Sequence, residues 1–81
     1  MDKIEIVNQL TEIFRNVFSD DTIELREDMT TEDVENWDSL TNMMMIEEIQ
    51  QVFGFRFKLK QLPTLNTVGN IIEAIRQNLE Q

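Results

Sequence analysis

Apolar residues return every three or four positions in three separate stretches of the chain. In the first, Ile4, Val7, Leu10, Phe14 and Val17 form a stripe that Ile6, Ile13 and Phe18 widen. One face of an α-helix has that period, so the spacing predicts an amphipathic helix over about residues 2–18 with its apolar side on a core. Ser19-Asp20-Asp21 then interrupts it. In the second stretch, Leu40, Met43, Ile46, Ile49 and Phe53 mark the expected inward stripe of a helix running from Leu40 to Phe53, with Met45 and Val52 at its margin. Glu47, Glu48, Gln50 and Gln51 make its polar side. Consecutive methionines usually serve as soft core filling, but Met44 falls off the stripe and is expected to be partly exposed, about one turn from Ser39. In the third, Val68, Ile71, Ile72, Ile75 and Leu79 predict a last helix with Thr67 as its N-cap. Gly69 costs helix propensity, so a close helix contact is expected there.

The segments between these stripes read differently. Residues 19–38 hold nine of the sixteen acids and one base, Arg26, with Ile23, Leu25, Met29, Val34 and Trp37 as apolar anchors. This predicts a long loop pinned to the bundle, with a short turn near Thr31 to Glu35; long ordered loops are commonly functional or wrapped over a core. An EF-hand calcium loop is excluded, because the stretch has no glycine and lacks the alternating ligands closed by a glutamate. Phe53, Phe55, Phe57 and Leu59 alternate with Gly54, Arg56, Lys58 and Lys60, the pattern of a half-buried strand. No second strand-like run exists to pair with it, so an extended connection is expected, then a short helical turn near residues 58–62, with Pro63 ending that turn or sitting just past it. The fold class expected is all-α: a small four-helix bundle of three longer helices and one short one, with a long loop between the first and second. No internal repeat, linker or low-complexity segment stands out.

Length and composition narrow the function. Eighty-one residues suit a single domain, 1–81, with a small core and little room for an enclosed catalytic cleft. The chain has neither histidine nor cysteine, the usual general base and the usual thiol nucleophile, which argues against an autonomous enzyme. Disulfides and the common zinc sites are excluded for the same reason, and no metal is expected. The net charge of −9 argues against nucleic acid and anionic membrane as partners and would steer partners with a basic patch toward the chain. The first twenty residues alternate charged and apolar positions, so neither a signal-peptide core nor a membrane span is expected. A soluble, cytoplasmic monomer is the default expectation.

The acidic loop gives way abruptly to the second helix at Trp37-Asp38-Ser39-Leu40, which places one serine hydroxyl at a helix start. A phosphate ester on Ser39 would lie in the favourable field of the helix N-terminus. Serine and aspartate are also ordinary N-cap residues, so a simple cap accounts for the same position.

Several features in order resemble the acyl carrier proteins: the apolar first helix, the acidic approach from Asp28 to Val34, Trp37-Asp38-Ser39-Leu40, the helix ending Val52-Phe53-Gly54, and Thr67-Val68 opening a last helix. The resemblance covers nearly the whole chain. Asp-Ser-Leu alone is a weak tripeptide, and its place midway along the chain with those flanks makes the combination specific.

The resemblance implies that Ser39 carries 4'-phosphopantetheine in phosphodiester linkage, flanked by the motif residues Asp38 and Leu40, and that the arm's thiol holds acyl groups as thioesters. It implies as partners a phosphopantetheinyl transferase, which supplies the Mg²⁺ and most catalytic residues of attachment, and acyl-loading and acyl-transferring enzymes. Thr41, Met44, Glu47 and Glu48 are the expected partner-binding residues. The family typically has an acid directly after the motif leucine and another three residues later, where this chain has Thr41 and Met44. The usual acids near the third helix are likewise replaced by a segment with Arg56, Lys58 and Lys60. These departures point away from fatty-acid-synthase-type partners and toward a dedicated lipid, polyketide or specialised acyl pathway. The Met-rich second helix with Phe55 and Phe57 could line an acyl chain or simply fill the core. An aminoacyl or peptidyl carrier of the same fold and a helical adaptor with Ser39 only as a cap remain the alternatives.

Overall fold

Asp2 starts the first helix: its carboxylate accepts the Glu5 backbone N–H at 2.9 Å, satisfying one of the donors that a helix leaves free at its N-terminus. In this computed structural model, which describes residues 1–80, α1 then runs over Lys3–Val17, α2 over Ser39–Phe53 and α3 over Val68–Leu79. A short 3-10 helix, Leu59–Thr64, lies between α2 and α3. No strand occurs among the described residues. The expected all-α bundle with its long first loop is therefore the observed fold, and no helix among the described residues is long and apolar enough to cross a membrane.

The core is built on α1, which packs against both α2 and α3. Ile6, Leu10, Ile13 and Phe14 of α1 meet Met45, Ile49 and Phe53 of α2 and Val68, Ile71, Ile72, Ala74 and Ile75 of α3. Two stripes are rotated from their sequence-based phase. Ile4 is exposed, and the buried edge of α1 runs through Ile6 instead. On α2 the expected inward residues Leu40 and Met43 are 69% and 68% exposed, while Met45, expected at the margin, is fully buried. Leu40, Met43, Met44, Met45, Ile46, Ile49, Val52 and Phe53 cover most of the helix circumference. Periodicity alone then fixes no phase, and α1 and the loop decide which side is inside. Met44 is exposed as expected.

The loop of residues 18–38 is pinned as its anchors predict: Ile23, Met29, Val34 and Trp37 are buried and Leu25 half-buried. Trp37 packs edge-on against Phe14, with ring centroids 5.4 Å apart at 85°, and lies 5.9 Å from Phe18. The short turn appears where Asp33 N–H reaches the Thr30 carbonyl at 3.0 Å.

Thr67 caps α3 as expected, its hydroxyl accepting the Asn70 N–H at 3.1 Å. The next free donors of α3 go to the loop backbone: Val68 N–H to Met29 O at 3.0 Å and Gly69 N–H to Glu27 O at 2.9 Å. The close contact expected at Gly69 is therefore with the loop rather than with a helix. A Cβ at Gly69 would lie 3.0 Å from the Glu27 carbonyl oxygen.

Gly54 ends α2 in the left-handed conformation, φ 75°, where glycine has no steric penalty. An extended connection follows, as expected for a strand pattern without a partner. Phe57 is buried and Phe55 half-buried, and their rings stack edge-on at 4.9 Å. The short helix runs to Thr64, so Pro63 lies inside it instead of ending it or sitting just past it.

Candidate functional site: a serine at the head of the second helix

The cap of α2 belongs to Asp38. Its carboxylate Oδ1 accepts the N–H groups of Leu40 and Thr41, each at 3.0 Å, and the Thr41 hydroxyl oxygen in turn accepts the Asp38 N–H at 2.9 Å. This reciprocal arrangement is a capping box with threonine in place of the usual acid. The bonds to the ionised form hold the Asp38 carboxyl below its ordinary range, that from the Thr41 backbone N–H contributing most and desolvation opposing it. Thr41 also donates its hydroxyl to Asn36 O at 2.6 Å. Of the expected partner residues, Thr41 is thus spent on the cap.

Ser39 is the first residue of α2 and is exposed. Neither its hydroxyl nor its backbone N–H makes a hydrogen bond among the described residues. The reading of Ser39 as merely a helix cap is overturned by this geometry, because Asp38 fills that role. Ser39 has a free hydroxyl at the positive end of a 15-residue helix.

Two surface hollows adjoin it. Ser39 lines a cleft of about 310 Å³ together with Trp37, Asp38 and Asn42 on one side and Leu62, Pro63, Leu65 and Asn66 on the other. Leu40, its neighbour, lines a groove of about 550 Å³ with Val17, Met43, Met44, Glu47 and Glu48. The structure thus brings Leu40, Met44, Glu47 and Glu48 onto one apolar face with an acidic border. The groove includes Met43, which the sequence pattern assigned to the core. Asn42 and Asn66 were also missed: Asn42 is legible as one helical turn from Ser39, whereas Asn66 arrives only through the tertiary fold.

The family model described as "Phosphopantetheine attachment site" matches residues 8–75. An acyl carrier protein of Coprothermobacter proteolyticus is 30% identical over 84 residues, spanning 98% of this chain and 96% of the relative. The chain belongs to the acyl carrier protein family. A solved structure with a similar fold, the holo acyl carrier protein of Geobacter metallireducens, has a TM-score of 0.85 and 34% identity, covering 91% of this chain and 85% of that one. The prosthetic group of this carrier is phosphopantetheine, covalently attached. The residues present fit such a group: an unbonded, exposed serine hydroxyl at the head of α2 opens onto a cleft with both polar and apolar walls.

Proposed function

We propose that this carrier holds acyl groups as thioesters on a 4'-phosphopantetheine arm attached to Ser39 Oγ and delivers them to partner enzymes in the cytoplasm. The observation that supports it is the free hydroxyl of Ser39 beside a cap that Asp38 maintains without it. In the attachment step, Ser39 Oγ attacks the phosphorus of coenzyme A that bears pantetheine. The P–O bond to 3',5'-adenosine diphosphate breaks, and the hydroxyl proton leaves to a base on the transferase. When bound, the arm supplies a terminal thiol on which acyl cargo is held. Tethering raises the cargo's effective concentration at each partner, so the chain acts as carrier rather than catalyst.

The groove of Leu40, Met43, Met44, Glu47 and Glu48 is the expected docking face for the partners. Its apolar floor, which includes Met44 where the family typically has an acid, favours enzymes of a dedicated acyl pathway, with a complementary apolar surface and basic groups at its edge.

The test is incubation with coenzyme A and a promiscuous phosphopantetheinyl transferase, followed by intact mass measurement. The chain is expected to gain one phosphopantetheinyl group and the Ser39→Ala variant none. No gain, or the same gain in the variant, would overturn the proposal.

A further inference from the structure

The five methionines of the chain differ in what surrounds their sulfur. Met45 is fully buried, and Met29 is buried with its Sδ accepting the Arg26 backbone N–H at 3.0 Å. Met1 is exposed at the terminus, its Sδ accepting from Gln9 Nε2 at 4.0 Å. Met43 and Met44, adjacent on α2, are 68% and 48% exposed, and their sulfurs accept no hydrogen bond among the described residues. Both line the groove with Val17, Leu40, Glu47 and Glu48, so half of its apolar side chains are thioethers open to solvent. Val17 and Leu40 are inert to mild two-electron oxidants, whereas a thioether becomes a polar sulfoxide. The acids at the rim and the net charge of −9 repel anionic oxidants, so the reagent that suits this surface is neutral, a hydroperoxide.

We infer that Met43 and Met44 form a reversible oxidation site at which a hydroperoxide weakens the docking of partner enzymes, an inference that rests on the groove being their docking face. The sulfur lone pair attacks one peroxide oxygen, and the S–O bond forms as the O–O bond breaks. With hydrogen peroxide the departing hydroxide takes the proton from the new S–OH group and leaves as water. Each sulfur thus loses two electrons to the peroxide and ends as a sulfoxide, which methionine sulfoxide reductases return to the thioether. The sulfoxide oxygen is a strong acceptor that an apolar partner surface must strip of water without offering a donor, so binding weakens. The fold is retained, because α2 packs on the core through Met45, Ile49 and Phe53 and not through these two side chains. Ser39 and its neighbouring cap are untouched, so the loss falls on KM rather than on kcat.

The experiment treats the arm-free protein with hydrogen peroxide, locates the added oxygen by peptide mass, and then measures arm transfer from coenzyme A by a phosphopantetheinyl transferase. Oxygen is expected on Met43 and Met44 well before Met29 and Met45, with the melting temperature unchanged. The KM for the oxidised protein is expected to rise about tenfold at unchanged kcat, and to return after treatment with sulfoxide reductases. The Met43→Leu/Met44→Leu double variant, compared with itself before and after peroxide, is expected to keep its own KM although Met1 is still oxidised. Equal oxidation of the buried methionines, an unchanged KM once Met43 and Met44 carry oxygen, or an equal rise in the double variant would overturn the oxidation site and leave the carrier reading intact. Untreated protein that accepts no arm at Ser39 overturns both, and the untreated control separates the two cases.

Discussion

At the head of α2 the Asp38 carboxylate caps the helix, and the Ser39 hydroxyl forms no hydrogen bond among the described residues. Ser39→Ala is therefore expected to change unfolding free energy by no more than about 0.5 kcal/mol in denaturant titration, the usual range for a surface change that breaks no bond, while abolishing arm attachment. Asp38→Ala is expected to lower the melting temperature, because two backbone donors lose their acceptor. The pH dependence follows from the depressed carboxyl. A group whose folded pKa lies below its unfolded value contributes stability above the unfolded pKa, about 3.9 for aspartate, and loses it as pH falls through the folded value. Asp38→Asn keeps the cap acceptor but cannot titrate. The stability advantage of wild type over this variant is thus expected to be present at neutral pH and, in thermal melts, to be lost as pH falls through the depressed folded pKa of Asp38.

Among the elements, α2 shows where sequence pattern stops being informative. The helix itself was legible, with Phe53 and Gly54 at its end and Asp38-Ser39 at its start, because caps and composition are local properties. Its inward face was not, since apolar side chains surround it and only packing against α1 selects Met45 over Met43. Met45→Ala is expected to cost about 2–5 kcal/mol by opening a cavity, and Met43→Ala at most about 0.5 kcal/mol, as read by urea unfolding. The loop was legible in its anchors but not in its attachment to α3, because backbone donors leave no mark in side-chain pattern. Val68 and Gly69 direct their N–H groups to Met29 and Glu27, so the head of α3 holds the loop that leads to Ser39. Gly69→Ala gains roughly 1 kcal/mol of helix propensity and incurs about 1–3 kcal/mol of overpacking against a carbonyl that cannot retreat without losing its bond. A net loss of about 1 kcal/mol is expected in the same assay.

At the scale of the whole molecule, charge is unevenly placed. Among the described residues, Lys3, Arg15, Arg26 and Arg76 are paired with acids. Among the described residues, Arg56 and Lys58 on the extended connection and Lys60 in the short helix carry no such partner. Every one of these pairs has at least one exposed member, Arg15 alone being half-buried, and such pairs contribute little to stability, so self-repulsion of a net charge of −9 is the larger electrostatic effect. Raising salt from about 10 mM to 1 M shortens the Debye length from about 30 to 3 Å and is expected to raise the melting temperature; a fall would show that the ion pairs dominate. The indole of Trp37 bridges the two halves of the molecule, its ring against Phe14 in the core and its nitrogen bonded to Asn42 at the cleft wall. As the chain's lone tryptophan, it makes the unlabelled protein its own fluorophore, in which emission registers both the melting of the interior and any change of company beside the serine.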